Sequence, residues 1–452
     1  MKAYKTLAAG LVLALILCGC QSIPAEDAAP APEAPPQDQP DEPRTLMGVV
    51  ASADGDNFTV RDEQGGLYTF SLSSLPEVTA PYGVMAGMTA VLTYAGEIAG
   101  QSETLPDLLS AEITPPADMK ARLDTLAGMT LEQKVGQLFI ARCPESGAAD
   151  KAKQYALGGY ILFGRDFEDE TPGSIRQTIT LWQENAAVPM LIGVDEEGGT
   201  VNRVSRSSVF RESPFLSPRQ LYEQGGLEAV AADTEEKSQL LLSLGINMNF
   251  APVCDVTTSG DSFMAERTFG QGAEQTADYV KTVVSVMSRE GIGAVLKHFP
   301  GYGDNADTHT GSALDERDAE TFYQSDFLPF QAGIDAGAGA VLVCHNVVAA
   351  FDADSPASLS AEVHRVLREE LGFDGVIVTD DLAMSAISGA MGDEQAAIAA
   401  IQAGNDLLCT TAFETQIPAV IQAVRDGSIT EERLDQSVLR VLKYKQDIGL
   451  LS

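Results

Sequence analysis

The chain has 452 residues, of which 44% are hydrophobic and 21% are charged, a composition typical of a soluble globular protein with room for two or three domains. Its 65 acidic residues outnumber its 29 basic ones and give a formal net charge of -36. Because a surface this acidic repels phosphate backbones, we exclude nucleic acid as a partner. Neutral ligands such as sugars are compatible with this charge, and so is the simpler interpretation that the acidity serves only solubility.

The N-terminus has the features of an export signal. Lys2 and Lys5 precede the apolar run LAAGLVLALIL, which is short for a membrane span, and small residues then lead to Cys20. This order resembles a bacterial lipoprotein signal, which implies cleavage before Cys20 and lipidation of its thiol. We therefore expect residues 1–19 to be a signal peptide and the mature protein to be exported and lipid-anchored to the outer face of a bacterial membrane. An ordinary signal peptide and an uncleaved anchor are the alternatives.

Two stretches of different composition follow. Residues 20–44 are rich in Pro, Ala and acidic side chains with almost nothing to bury, which predicts an extended tether. Residues 45–116 alternate apolar and polar positions between the turn signals DGDN and EQGG, which predicts a small all-β domain. This alternation indicates no function, so a spacer and a wall-binding module both stay open.

From residue 117 to 452 the pattern is a strand followed by a helix, repeatedly. Stretches with helical periodicity, such as EEKSQLLLSLG and AEVHRVLREELG, separate short apolar runs. Eight such units predict an α/β fold in which parallel strands close into a (β/α)8 TIM-type barrel. A doubly wound sheet is the alternative, but no nucleotide-binding fingerprint accompanies the strands. The apolar runs begin near residues 135, 158, 189, 246, 292, 338, 374 and 403.

The cysteines of the predicted barrel are widely spaced and form no C-x-x-C pair, which excludes the spacing of a zinc site. Most of them lie in apolar surroundings, so we expect buried, unreactive thiols, with a disulfide left open. The sequence predicts no metal and no cofactor. These cysteines are Cys143, Cys254, Cys344 and Cys409.

Polar residues follow several of the predicted strands. Because the C-terminal strand ends of such a barrel meet at one face, we expect these side chains to converge on a site for a polar, uncharged ligand. The alternative is that each residue only caps the turn or helix that follows it. The strand-end residues are Asp195, Asp255, Lys297, His298, His345, Asp380 and Asp381.

Some polar residues in and near this set suit the cleavage of a glycosidic bond. Asp380 ends the buried run GVIVTD, which would hold a nucleophilic carboxylate rigidly. His309, with an unperturbed pKa of about 6.5, suits the donation of a proton to the leaving oxygen and its later recovery. Asp307 is placed to orient the ring of His309, and the glycines of the segment 301–311 predict that this loop moves.

Four segments resemble glycoside hydrolase family 3. LREELGFDGVIVTDDLA resembles the nucleophile segment, and KHFPGYGDNADTH resembles the acid/base loop of the β-N-acetylglucosaminidase branch. VDEEGGTVNR and ERTFG resemble two sugar-binding segments, and all four occur in the family's order within residues 120–448. The resemblance implies the same barrel, with Asp380 as nucleophile, His309 as acid/base and Asp307 as its partner. It also implies hydrogen bonds to the terminal sugar from Asp195, Arg203, Arg267, Lys297 and His298.

The resemblance also implies a reaction, the retaining, exo-acting hydrolysis of terminal β-linked N-acetylglucosamine, with β-N-acetylglucosaminides or muropeptides from peptidoglycan as substrates. Many relatives that cleave β-glucosides take their acid from a further C-terminal domain, and because this sequence ends at Ser452 we expect the acid to come from the barrel. Tyr302, Thr308 and Thr200 depart from the family pattern, and the stretch between Gly303 and Asp307 is one residue short. β-Glucosidase or β-xylosidase activity and phosphorolysis therefore stay open.

Three other readings are less favoured. A metal hydrolase would use His298, Asp307, His309 and His345 as ligands, but the charge of Lys297 beside them repels a cation. Substrate-assisted hydrolysis would need two acids on one side of a strand end, whereas neighbours on a strand point opposite ways. A lipid-anchored, non-catalytic sugar-binding protein has no need of the nucleophile and the acid.

Two histidines need no catalytic role. His345 either lines the site or satisfies a hydrogen bond of the core, and His364, within a predicted helix, is a surface or packing residue. We expect a monomer whose partners are a glycoside substrate and, through the lipid anchor, a membrane.

Overall fold

A computed structural model describes residues 42–74, 77–96, 107–257, 260, 262–303 and 313–451. The predicted signal peptide, Cys20 and nearly all of the tether lie outside these residues, as do Asp307 and His309. Within the described part, no helix is long and apolar enough to span a bilayer. The chain divides into two compact units: one comprises the described residues up to Thr79 with Ala90–Glu112, and the other comprises Ala80–Thr89 with the chain from Ile113 onward.

The strands are β1 (Arg44–Asp54), β2 (Asn57–Asp62), β3 (Leu67–Ser71), β4 (Val78–Thr79), β5 (Thr89–Ala95), β6 (Asp107–Thr114), β7 (Phe139–Arg142), β8 (Gly159–Leu162), β9 (Leu191–Val194), β10 (Glu196–Gly198), β11 (Val201–Asn202), β12 (Met248–Asn249), β13 (Gly293–Phe299), β14 (Leu314–Asp315), β15 (Ala340–Val343), β16 (Val347–Val348), β17 (Val376–Thr379) and β18 (Leu408–Thr410).

The α-helices are α1 (Ala117–Ala127), α2 (Leu131–Gln137), α3 (Ala148–Tyr155), α4 (Pro172–Asn185), α5 (Pro218–Leu244), α6 (Ala273–Glu290), α7 (Ala319–Thr321), α8 (Phe327–Asp335), α9 (Ala361–Arg365), α10 (Ser385–Ser388), α11 (Asp393–Ala403), α12 (Phe413–Arg425) and α13 (Glu431–Asp447). Short 3-10 turns lie at Leu72–Ser74, Gly164–Phe167 and Ala357–Leu359, and π-helical turns lie at Phe322–Asp326 and Val366–Glu370.

The first unit is a single sheet with the strand order β3-β2-β1-β5-β6-β4. Its first hairpin turns through the predicted DGDN signal, where Asp54 pairs with Asn57 across two intervening residues. The alternation in the sequence puts one set of side chains inside, which includes Val50, Phe58, Val60 and Phe70. The prediction of a small all-β domain ahead of the barrel is confirmed.

The second unit contains the predicted barrel. Its strands follow the order β17-β15-β13-β12-β9-β8-β7-β18, and every strand pair of this sheet is parallel. A parallel bridge between Val378 and Leu407 joins the two outer strands, and Leu407 N–H donates to Ile377 O at 3.0 Å. The sheet is therefore closed, which confirms the (β/α)8 barrel over the doubly wound alternative.

Each of the eight predicted apolar runs contains a strand of this sheet. The first run begins too early, because Leu131–Gln137 is helix α2. Thr130 caps this helix by accepting from Gln133 N–H, and the Gln133 side chain accepts from Thr130 N–H in return. A local cap thus overrides the apolar pattern until Phe139.

The interior of the barrel is filled by side chains of the strands, among them Ile140, Met248 and Val376. Helix α13 closes the N-terminal end with Tyr444, whose ring lies so near Gly293 and Gly339 that a Cβ at either position would overlap it. The packed interior leaves the C-terminal end as the place where polar strand-end residues meet a cavity.

The barrel cysteines are buried and free, as predicted. Burial raises the pKa of each thiol above its ordinary value, to about 12 for Cys143. Because the thiolate is the reactive form, these side chains are inert packing groups.

Candidate active site

A cavity of about 280 Å³ lies at the C-terminal end of the barrel strands. Its volume lies just below the usual range for small-molecule sites, which favours a ligand as small as one monosaccharide. The residues predicted to be the nucleophile or to bind the sugar all line this cavity, whereas the predicted acid/base His309 and its partner Asp307 lie outside the described residues. The predicted residues in the lining are Asp195, Arg203, Arg267, Lys297, His298 and Asp380.

Barrel strands carry four of these side chains. Asp195 directly follows β9, Lys297 and His298 belong to the last part of β13, and Asp380 directly follows β17. The other two come from segments beyond the strands: Arg203 follows the β10–β11 hairpin, and Arg267 precedes helix α6. The pairing of parallel strands therefore brings together residues that are up to 185 positions apart in sequence, from Asp195 to Asp380.

Glu197 is the centre of the charged wall of the cavity. Its carboxylate pairs with Arg267 through two hydrogen bonds, at 2.7 and 3.0 Å, and with Lys297 Nζ at 2.6 Å. Lys297 Nζ also bonds Asp195 Oδ1 at 2.7 Å. Burial alone would raise the pKa of Glu197, but the charges of Arg267 and Lys297 hold it well below its usual range. Glu197 is therefore an anion that fixes two cations against the cavity.

The same carboxylates keep Lys297 charged. Burial alone would lower the pKa of this ammonium, but Asp195 and Glu197 raise it above its ordinary value. The guanidinium of Arg267 behaves in the same way, since Glu197 raises its pKa although the side chain is largely buried. The cavity wall thus offers fixed donors beside the acceptor oxygens of Asp195.

His298 is held from both sides of its ring. Its Nδ1 lies 2.7 Å from Asp255 Oδ2, and its Nε2 lies 3.2 Å from Arg267 Nη2. Because the guanidinium only donates, Nε2 accepts, so the proton of the neutral ring is on Nδ1 and is donated to Asp255. Asp255 does not line the cavity, and β12 ends at Asn249, well before it. The expectation that Asp255 closes the fourth strand is wrong; it supports His298 from behind.

Glu196, the neighbour of Glu197, is fully buried and shapes the loop that carries Arg203. Its carboxylate accepts from the N–H groups of Arg203, Val204 and Ser205 at 2.7 to 3.1 Å. Arg203 Nη2 then lies 3.7 Å from Asp195 Oδ2, and its guanidinium lies over the Phe163 ring.

Asp380 lies on the cavity wall, where its backbone and its carboxylate are both hydrogen-bonded. Its N–H donates to Val343 O at 3.0 Å, and its Oδ1 accepts from Asp381 N–H at 2.8 Å. Asp381 also lines the cavity, so the expectation that the two neighbours point opposite ways is wrong. The reason is that β17 ends at Thr379, and the alternation of a strand does not extend to the residues that follow it.

A family model described as "Glycosyl hydrolase family 3 N terminal domain" matches residues 130–444, which is more than half of the chain. The chain belongs to glycosyl hydrolase family 3. The predicted family is confirmed, and with it the prediction of a glycoside hydrolase, at the level of a family member similar to β-hexosaminidases.

Two relatives illustrate the similarity to family 3 enzymes. A beta-hexosaminidase of Xanthomonas campestris pv. campestris (strain B100) is 33% identical over 257 residues, which cover 56% of this chain and 76% of the relative. The beta-hexosaminidase LpqI of Mycobacterium tuberculosis (strain ATCC 25618 / H37Rv) is 28% identical over 388 residues, which cover 82% of this chain and 98% of the relative.

A solved structure from Paenibacillus sp. str. FPU-7, a glycoside hydrolase family 3 beta-N-acetylglucosaminidase, matches with a TM-score of 0.66 and 33% identity. The match covers 72% of this chain and 63% of that structure, so this chain spans less than two thirds of it. The family 3 barrel of this protein is therefore found in solved relatives.

The remaining histidines support the family 3 site or the core. His345 is buried outside the cavity lining, with Nδ1 accepting from Ser358 Oγ at 2.7 Å and Nε2 donating to Asp381 O at 3.0 Å. His364 is a buried packing residue whose Nδ1 lies 2.7 Å from Ser360 O. Across the described ranges, no group of three or more His, Cys, Asp or Glu side chains is arranged to hold a metal ion.

Sequence reasoning named neither Glu197 nor the supporting role of Asp255. The signal for Glu197 was the run of acids in VDEEGG, where two further acids directly follow Asp195 at the end of an apolar run. The signal for Asp255 was only its polarity. The catalytic and sugar-binding roles of the predicted residues stay predictions.

Proposed function

We propose that the protein is a retaining, exo-acting β-N-acetylglucosaminidase that releases terminal β-linked N-acetylglucosamine. The observation that carries the proposal is the cavity itself, in which the fixed Asp380 carboxylate and the Glu197, Arg267 and Lys297 cluster share one space of about 280 Å³. A space of this size supports recognition of a single terminal sugar. Membership of family 3 and the similarity to β-hexosaminidases support the reaction class.

In the proposed mechanism, Asp380 attacks the anomeric carbon while the glycosidic bond breaks, and a covalent glycosyl-enzyme forms. The leaving oxygen takes a proton from His309, whose ring Asp307 orients. Neutral His309 then removes a proton from water, which attacks the anomeric carbon and releases Asp380. Two inversions retain the β configuration.

The charged wall would hold the sugar during both steps. Lys297, Arg267 and Arg203 are donors to hydroxyl and acetamido oxygens, and Asp195 is an acceptor for hydroxyl groups. Because Glu197 and Asp255 hold their partners before substrate arrives, these groups need little rearrangement on binding.

A relative named for two activities favours a second candidate. The beta-N-acetylglucosaminidase/beta-glucosidase of Cellulomonas fimi is 30% identical over 341 residues, which cover 72% of this chain and 59% of that relative. The alternative is therefore an enzyme that also acts on β-glucosides. The departure from the family pattern at Tyr302 is a second reason to keep this alternative.

The proposal also covers the cellular location and the natural substrate of the protein. We propose that the protein is exported, is lipidated on Cys20 and acts as a monomer on peptidoglycan fragments at the outer face of the membrane. The support is the charged, apolar and small-residue order that precedes Cys20, followed by an acidic, Pro-rich stretch. Fractionation of cells that express the parent chain or Cys20→Ala tests this, and equal membrane association of the two would contradict lipid anchoring.

The deciding experiment for the activity compares nitrophenyl β-N-acetylglucosaminide, β-glucoside and β-xyloside as substrates of the purified protein, with and without phosphate. We expect the highest kcat/KM on the N-acetylglucosaminide, no sugar phosphate, and the β anomer as the first product by proton NMR. An α anomer as the first product would overturn the retaining mechanism, and a preference for the glucoside would favour the second candidate.

A further inference from the structure

The turn that follows strand β13 is held on both sides. We name residues 301–303 the exit turn, since β13 ends at Phe299. On one side, Asp255 Oδ1 accepts from Tyr302 N–H at 2.8 Å, and Gly301 N–H donates to His298 O at 2.8 Å. On the other side, Gly301 O accepts from Arg317 Nη2 at 3.0 Å.

Arg317 has a buried carboxylate partner on each side. Its Nε and Nη2 bond Asp315 at 2.7 to 3.0 Å, and its Nη1 bonds both oxygens of Asp326 at 3.0 Å. The guanidinium also lies 4.3 Å from the centre of the Phe322 ring. Burial alone would lower the pKa of Arg317, but Asp315 and Asp326 raise it, so the group is a permanent cation. Five donors in one plane make Arg317 a rigid bracket.

The glycines of the exit turn lie directly against this bracket. Gly301 and Gly303 have φ values of 121° and 54°, which L side chains rarely adopt. A Cβ at Gly301 would overlap the Asp326 carboxylate, and a Cβ at Gly303 would lie 2.7 Å from the Arg317 guanidinium. These two glycines therefore allow the turn to pack closely against Arg317 and Asp326.

The chain that returns to the barrel, which includes β14, also contacts Arg317. Strand β14 pairs with β16, and Val347 N–H donates to Ala313 O at 2.8 Å. Asp315, at the end of β14, is the residue that bonds Arg317. One guanidinium thus joins the chain where it leaves the barrel to the chain where it returns.

We propose that Arg317, held by Asp315 and Asp326, is a positioning residue for the catalytic reaction, because it fixes both described ends of the segment that carries His309. The inference rests on the proposed function, in which His309 supplies the proton. It also concerns the cavity wall, because Tyr302 of the exit turn lines the cavity and lies edge-on to the His298 ring at 5.2 Å.

The test uses the dependence of the rate on the leaving group. A dinitrophenyl group leaves without a proton, whereas the sugar of a β-linked N-acetylglucosamine disaccharide needs one. If Arg317 positions the acid, Arg317→Met lowers kcat/KM on the disaccharide about 10-fold to 100-fold more than on the dinitrophenyl substrate. A purely structural role would lower both rates equally.

Arg368→Met is the matched control. Arg368 also pairs with a buried aspartate, Asp406, also donates to backbone carbonyls and also lies over a phenylalanine ring, but at the other end of the barrel. We expect this variant to lower the melting temperature and to leave the ratio of the two substrates at its parent value. Arg317→Lys, which keeps the charge but not the planar fork, should have an intermediate ratio and serves if Arg317→Met does not fold.

An unchanged substrate ratio in Arg317→Met, or in Arg317→Lys when only that variant folds, would overturn the inference. The proposed function fails separately, and visibly, if the parent chain hydrolyses neither N-acetylglucosaminide. His309→Ala is the reference variant, since it should show the largest change in the ratio of kcat/KM between the two substrates.

Discussion

Two clusters of buried charge lie at opposite ends of the barrel. The cavity cluster consists of Glu197 with Arg267, Lys297 and Asp195, at the C-terminal strand ends. The base cluster consists of Asp406, which precedes β18, with Arg368, Arg433 and Arg440. Each cluster surrounds a carboxylate that is almost completely removed from solvent, with 5% exposure for Glu197 and 0% for Asp406.

The two carboxylates differ in what their partners connect. Asp406 accepts from Ile377 N–H at 3.0 Å and from Ser437 Oγ at 2.6 Å, so it joins the beginning of β17 to helix α13. Glu197 instead holds Arg267 and Lys297 against an open cavity. The same ionic chemistry therefore joins elements of the scaffold at one end and holds two cations against a cavity at the other. Ion pairing alone does not identify an active site, whereas the end of the barrel does.

The largest effect should follow from removing the proposed nucleophile. Asp380→Ala takes away the only covalent step, so we expect kcat on the nitrophenyl N-acetylglucosaminide to fall by about 10⁴-fold or more, with little change in melting temperature. Steady-state kinetics and differential scanning fluorimetry measure both. Turnover near the parent level would remove Asp380 from the mechanism.

Glu197→Gln should have the next largest effect on activity. The amide keeps the shape but leaves Arg267 and Lys297 without their shared anion, so we expect kcat/KM to fall by about 10²-fold to 10³-fold, with the cavity solvating part of the freed charge. Kinetics on the same substrate test this. A large loss of stability with unchanged kcat/KM would make the cavity cluster a scaffold like the base cluster.

Asp406→Asn is the reciprocal change in the base cluster. Three arginines then face one another without an anion, which should lower the free energy of unfolding by about 3 kcal/mol. We expect kcat/KM per folded molecule to stay within about 2-fold of the parent, because the active site is at the other end. Urea unfolding measures the stability, and kinetics with active-site titration measure kcat/KM per folded molecule. A loss of turnover without a loss of stability would contradict a purely structural role for the base cluster.

Lys445 differs from both clusters because it is a buried amine with no described ion-pair partner. Its Nζ donates to Gln137 Oε1 at 2.7 Å, and burial lowers its pKa from 10.5 to about 7. Between these two values only the unfolded chain holds the proton, so this group's stabilising contribution is complete above pH 10.5 and is lost as the pH falls to about 7.

Lys445→Met should remove this dependence of stability on pH. From pH 7 to pH 9, the free energy of unfolding of the parent should rise relative to the variant by about 2 kcal/mol. The comparison uses the difference between the two pH values, so any constant effect of the unpaired Gln137 cancels. Parallel pH profiles of the two chains would mean that Lys445 titrates alike in the folded and unfolded chains.

The sequence alone was sufficient for the element pattern, the closed barrel and the side chains at strand ends. Asp195, Lys297, His298 and Asp380 could be placed because each lies at the end of an apolar run, and the C-terminal ends of parallel strands share one face. These are local features, since a strand end is visible in a few consecutive residues. The start of β7 was misplaced for an equally local reason, the capped helix α2.

Tertiary structure alone decided which charges meet. Glu197 and Arg267 are 70 residues apart, Asp255 and His298 are 43 apart, and Arg368 and Asp406 are 38 apart, so no local pattern distinguishes these pairs. The sequence around Gly301 and Gly303 likewise does not show their long-range contacts. In the structure, Asp326 packs against Gly301 and Arg317 packs against Gly303. Periodicity determines which face of an element is buried, but the energy of a buried charge depends on partners that only the closed barrel brings within hydrogen-bonding distance.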